Sequence, residues 1–142
     1  MDLIESSRRK AELIVRLAGT AAAANARAIA ARAEDVALGD GRGAYDSATV
    51  RAVAPLAVLV EFAAPLLRIG GVLVAWKGQR EAAEEDSGVR AAQRVGLELS
   101  RVIPVRPYPA SLNRHLHVYV KTSPTPERFP RRPGVAAKRP LG

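Results

Sequence analysis

Short apolar runs alternate with stretches of helical periodicity along this chain, and that alternation leaves few folds open. Leu3 and Ile4 read as the end of a strand, closed by Glu5. Ala11, Ile14, Val15 and Ala18 then recur at helical spacing, which predicts a helix with one buried face; Gly19 and the alanines 21–24 close it. Residues 26–31 form a weak strand, because alanine is a poor strand former. Residues 32–43, with Glu34, Asp35 and three glycines, are expected to be a short helix or loop. Residues 45–50 are a third strand. Pro55 suits a first helical turn, and the helix continues through Leu56, Leu59, Val60, Ala63 and Leu67. Gly70-Gly71 is read as the turn before VLVAW (72–76), whose unbroken apolar character fits a strand inside a parallel sheet. A charged helix follows over 81–94, with Ser87-Gly88 as its weak point.

Two later strands, 97–105 and 115–121, follow one another without a helix, and the second alternates cleanly with period two. Strands separated by helices imply right-handed crossovers and a doubly wound α/β sheet. The last two strands are expected to pair as an antiparallel hairpin at one edge. Residues 1–122 are therefore expected to form one α/β unit, and residues 123–142 a tail of different character.

That tail holds Pro124, Pro126, Pro130, Pro133 and Pro140. Proline at this density is expected to forbid helix and ladder and to leave a semi-rigid extended strap. From Lys121 to the end, six basic residues stand against Glu127 alone, so +5 of the chain's net +8 lies there. A basic excess at one end points to a polyanionic partner, nucleic acid first, or to a solvated solubilising tail.

Composition removes several classes. There is no cysteine, so disulfides and thiolate chemistry are out, and His115 and His117 do not make a metal-ligand set. No apolar run reaches the roughly 18 residues of a membrane span. Glu5, Arg8, Arg9 and Lys10 interrupt any secretory signal, and a cytoplasmic protein without metal or membrane partner is the simplest expectation.

Chemistry-bearing residues fall at strand ends. If Leu3-Ile4 is the second strand of a nucleotide-binding sheet, the Glu5 carboxylate stands where ribose hydroxyls are bound; a surface glutamate ahead of a helix fits the same residue. ARAED (31–35) follows the next strand, where Glu34 or the Ala33 backbone can read an adenine edge, or acidic residues can simply complement a helix dipole. Arg51 and Lys77 each follow a strand at the carboxyl edge where ligands bind in open α/β sheets. Nothing resembles an activated nucleophile or a general acid pair. That suits methyl transfer to a ring nitrogen, whose attacking lone pair carries no proton and needs positioning above all.

The stretches LIESSRRKAELI, ARAEDVA, RAVAPLAVLVEFAAPLLRIGGVLVAWKG and SPTPERFPRRPGVAAKRPLG together resemble the RsmG (GidB) family of bacterial 16S rRNA guanine-N7 methyltransferases. The resemblance covers nearly the whole chain and is weakest across 19–30 and 80–115. It implies a Rossmann-like class I methyltransferase fold using S-adenosyl-L-methionine, with 16S rRNA or the small ribosomal subunit as partner. By resemblance Glu5, Ser6 and Ser7 match a cofactor-contacting turn, Ala33 and Glu34 an adenine-side contact, and Arg51 a contact in the RAVAPL motif. Lys77 and the tail residues Arg128, Arg131, Arg132, Lys138 and Arg139 would face RNA.

The family's first strand and glycine-rich loop have no counterpart in this sequence. That strand lies at the sheet centre, so the strands ending at Glu5 and Arg51 are expected to lack their shared neighbour. The family often has valine where Met1 stands, and a GUG codon reads as valine internally but methionine at a start. The expectation is a truncated form of a longer enzyme that folds poorly and binds cofactor weakly. Two other readings remain: a non-catalytic RNA-binding remnant, and a nicotinamide-dependent enzyme, which the missing dinucleotide glycine fingerprint disfavours.

Overall fold

The computed structural model describes residues 1–142. Its architecture is built on six strands and five helices, in the expected α/β order. The strands are β1 (Asp2–Glu5), β2 (Arg27–Ala30), β3 (Tyr45–Arg51), β4 (Leu67–Lys77), β5 (Leu97–Val105) and β6 (Arg114–Lys121). The helices are α1 (Arg8–Thr20), α2 (Ala33–Leu38), α3 (Leu56–Ala63), α4 (Ala82–Val95) and α5 (Val135–Lys138).

The strands fall into two sheets. β1 and β2 pair in parallel, with α1 as crossover. The larger sheet has the order β3-β4-β6-β5: β3 lies parallel to β4 across α3, and β6 runs antiparallel to both of its neighbours. The terminal hairpin is therefore present, with β6 inserted between β4 and β5. β1 and β3 do not pair with each other, and each keeps one edge without a ladder partner. The expectation that these two strands lack a shared neighbour agrees with this arrangement.

The core lies on one face of the larger sheet. Leu73 and Ala75 of β4 and Tyr119 of β6 pack against Leu56, Leu59 and Val60 of α3 and Ala91, Ala92 and Val95 of α4. The period of two along β4 turns Val72, Val74 and Trp76 to the opposite, half-buried face. Gly88 is where α4 meets this core. A Cβ there would stand 2.8 Å from Leu56 Cβ and 2.9 Å from Tyr119 Oη. The supposed weak point of the helix is thus a close-packing position.

Two further expectations need correction. Gly70-Gly71 is no turn between helix and strand: α3 ends at Ala63, and β4 already begins at Leu67. Gly70 has φ +82°, and the β3–β4 register slips between the Tyr45 and Ser47 pairings, so the glycines form an irregularity within the strand. The tail is not extended throughout either. Its longest proline-free stretch, 134–139, makes the single turn α5. The tail also packs firmly, since Phe129 and Leu141 belong to the core.

Candidate functional site

The carboxyl ends of β1, β3 and β4 carry the residues singled out above. Glu5 ends β1, and its Oε1 accepts a hydrogen bond from the Ser7 amide at 2.7 Å and a longer one from Ser6 Oγ at 3.5 Å. This closes the turn into α1, whose N-cap Ser7 makes no side-chain cap of its own. Glu5, Ser6 and Ser7 thus form one hydrogen-bonded turn, with Glu5 Oε2 left free of protein partners.

Ala33 and Glu34 open α2, just past the end of β2. Their amides stand in a first helical turn, where an N–H has no intrahelical acceptor. The Glu34 side chain itself is buried, and its Oε1 accepts from the Gly134 amide of the tail at 3.2 Å. Its carboxylate is directed to the tail, so the Ala33 backbone is the freer hydrogen-bonding group of the two.

Arg51 is the last residue of β3, and its exposed guanidinium has no hydrogen-bond or salt-bridge partner in the protein. It lies opposite Trp76 in the ladder, one residue before Lys77. Ala52, the next residue, has φ +55°, so the chain turns sharply away from the sheet there. Lys77 is held more tightly than Arg51. Its Nζ lies 2.6 Å from Glu84 Oε1, an oxygen that also accepts the Leu56 amide at the start of α3.

The tail cations divide into two sets. Arg131 is bound bidentately to the buried Glu61, with Nε–Oε1 at 2.8 Å and Nη2–Oε2 at 2.5 Å. Arg128, Arg132, Lys138 and Arg139 are exposed, Arg128 over the Phe129 ring at 5.1 Å. Other groups fasten the same segment. Arg42 donates to the carbonyls of Phe129 and Thr125, Arg94 to that of Leu141, and buried Lys121 to that of Val95. Burial, reinforced by Arg42, pulls the Lys121 ammonium down to about 8.

A second polar group lies behind Lys77. Buried His117 meets Glu85 Oε1 through Nε2 at 2.9 Å, and Arg80 forks the same carboxylate with two bonds of 2.7 Å. Arg80 first, with His117 assisting, holds the Glu85 carboxyl down at about 2. These partners come from β6, α4 and the 78–81 loop. The sequence carries no signal for them, because the alternation of β6 sets Leu116, Val118 and Val120 on the apolar face and His117 on the other.

Comparison with known proteins places this geometry in a context. Residues 1–110 match the family model described as rRNA small subunit methyltransferase G, GidB. The chain is 41% identical over 142 residues to the ribosomal RNA small subunit methyltransferase G of Deinococcus radiodurans, covering 97% of this chain and 55% of that one. It is 41% identical over 141 residues to the protein of the same name from Chloroflexus aggregans, covering 98% and 58%. The chain therefore spans between half and three-fifths of the length of these curated relatives. Among solved structures, a SAM-dependent O-methyltransferase from Thermotoga maritima superposes with TM-score 0.61 at 12% identity, over 89% of this chain and 51% of that one. At that identity the likeness speaks for a Rossmann-like fold alone.

Proposed function

Because this chain belongs to the rRNA small subunit methyltransferase G family, we propose that it carries part of a site transferring a methyl group from S-adenosyl-L-methionine to N7 of a guanine in 16S rRNA. The observation that carries the reading is the family match over residues 1–110, which includes the carboxyl ends of β1, β2, β3 and β4. The residues present fit the cofactor. Glu5 Oε2 is free to accept from ribose hydroxyls, and the Ser6-Ser7 turn fixes the carboxylate that presents it. The Ala33 amide can donate to an adenine ring nitrogen, with Glu34 beside it. Arg51, unpaired at the end of β3, can pair with a carboxylate.

The bound cofactor supplies an electrophilic methyl group on a sulfonium. The protein's part is positioning. Guanine N7 attacks with a lone pair that carries no proton, so no general base is required. Lys77 and the exposed tail cations Arg128, Arg132, Lys138 and Arg139 supply positive charge for RNA phosphates, while Arg131 fastens the tail that presents them. A small-subunit rRNA substrate assigns the reaction to the cytoplasm.

A second reading, RNA binding without methyl transfer, is favoured by one observation: β1 and β3, which flank the proposed cofactor position, have no strand pairing between them. One assay separates the two. Radiolabel transfer from S-adenosyl-L-methionine to small-subunit RNA is measured for the chain alone and with the unmatched portion of the Deinococcus radiodurans relative added in trans. Label at guanine N7 in either arm supports the enzyme. RNA retention with no label in both arms supports the binding protein.

A further inference from the structure

We propose that the β5–β6 loop, residues 106–113, is a grip for single-stranded RNA, in which Arg106 and Arg114 hold phosphates and Tyr108 stacks on a base. The inference deepens the RNA reading above and rests on it.

The loop sits at the edge already marked by Arg51 and Lys77. His115 lies opposite Lys77 in the β4–β6 ladder, and Arg114 lies opposite Val105 at the end of β5. The hairpin therefore projects beyond the carboxyl end of β4. Behind it lies a cleft of about 300 Å³ lined by Arg106, Ser111 and Arg114 among others.

Charge within the hairpin itself is of one sign. Between Glu98 and Glu127 the sequence has no acidic residue, and neither Arg106 nor Arg114 has a carboxylate partner. Arg106 uses Nε and Nη2 on the Pro109 carbonyl, which pins the guanidinium to its own loop and leaves Nη1 free to donate outward. The Ser111 hydroxyl is buried in the cleft wall with no hydrogen-bond partner. A buried polar atom normally has a partner, and a phosphate oxygen held between the two arginines would supply one.

The loop also offers an aromatic face. Tyr108 is 50% exposed and stands between two prolines that stiffen its backbone. An exposed aromatic between cations is the combination that grips single strands: backbone charge is neutralised while a base stacks. A duplex keeps its bases stacked inside, so Tyr108 would find no partner there.

The test measures binding of a fluorescein-labelled single-stranded 12-mer from 16S rRNA to the full chain by anisotropy, across a salt series. Replacing both arginines in R106Q/R114Q should make the log–log salt slope shallower by about 1.4, at roughly 0.7 per single-strand phosphate contact. R106K/R114K keeps the charge and should keep the slope. Tyr108→Ala should weaken binding about 5- to 150-fold with the slope unchanged, and Tyr108→Phe should restore it. Circular dichroism and thermal midpoints verify that each variant is folded.

An unchanged slope in R106Q/R114Q together with unchanged affinity in Tyr108→Ala overturns the proposal. So does failure of the unaltered chain to bind, or equal effects of Tyr108→Ala on a duplex of the same length. The methylation assay is scored separately. Label transfer with an inert loop sinks this inference alone, and a working loop without label transfer sinks the enzymatic reading alone.

Discussion

Tyr45 Oη donates a 2.8 Å hydrogen bond to Asp2 Oδ2, joining the first residue of β3 to the first residue of β1. It is the only hydrogen bond between residues 1–31 and residues 40–142. Asp2 is set for it by Arg27, which forks its carboxylate from the adjacent strand and holds its pKa below the usual range, with Tyr45 adding to the effect. The bond ties the amino end of β3 to the amino end of β1, across two sheets that share no ladder.

Tyr45→Phe should therefore loosen the small sheet without unfolding the large one. Hydrogen exchange at the β1 and β2 amides should quicken roughly five-fold, the effect of losing about one ordinary hydrogen bond. Amides of β4 and β6 should be unmoved. Uniform acceleration over both sheets would mean that they unfold as one unit.

Arg131 is expected to matter for stability more than for RNA contact. Glu61 is 1% exposed, and Arg131 supplies both of its charge-assisted bonds. Removing one partner of a buried pair strands the other charge, at a cost of about 3–5 kcal/mol. Arg131→Ala should lower the urea midpoint accordingly and expose the tail to limited proteolysis, whereas Arg132→Ala, on an exposed neighbour, should leave both unchanged.

This contrast shows where sequence reading reaches its limit. The strand order, the β5–β6 hairpin and the turn at Glu5 were legible, because apolar periodicity and local turn chemistry are written in neighbouring residues. Arg131 was grouped with the RNA-facing cations because its partner lies 70 residues away on α3. Glu34 was expected beside an adenine, and its carboxylate meets a tail amide 100 residues later. The Gly70 irregularity escaped for a related reason. A glycine pair looks like a turn until the neighbouring strand imposes its register.

Gly88→Ala tests packing against propensity. In an exposed helix interior the change should stabilise by about 1 kcal/mol, since glycine is the poorer helix former. Here the added methyl would sit 2.8 Å from Leu56 Cβ and 2.9 Å from the buried Tyr119 hydroxyl. Overpacking of this kind costs about 1–3 kcal/mol. The variant should melt below the parent chain. A higher melting temperature would show that α4 can shift away from α3 at little cost.

Glu85 sets an acid limit on the fold. Its carboxyl is held at about 2 by Arg80 and, less strongly, His117, against an ordinary value of 4.5. A carboxylate whose pKa is depressed on folding stabilises fully above its unfolded pKa, and that contribution disappears as pH falls through the folded value. The stability gap between the parent chain and Glu85→Gln should therefore be widest above pH 4.5 and should close toward pH 2. Arg80→Gln should narrow the same window from below, because Glu85 would then protonate at a higher pH. Urea unfolding midpoints measured from pH 2 to 7 report both effects. A gap that stays constant over that range would mean that the Arg80–Glu85–His117 contacts do not distinguish charged from protonated Glu85, and that glutamine replaces the carboxylate bond for bond.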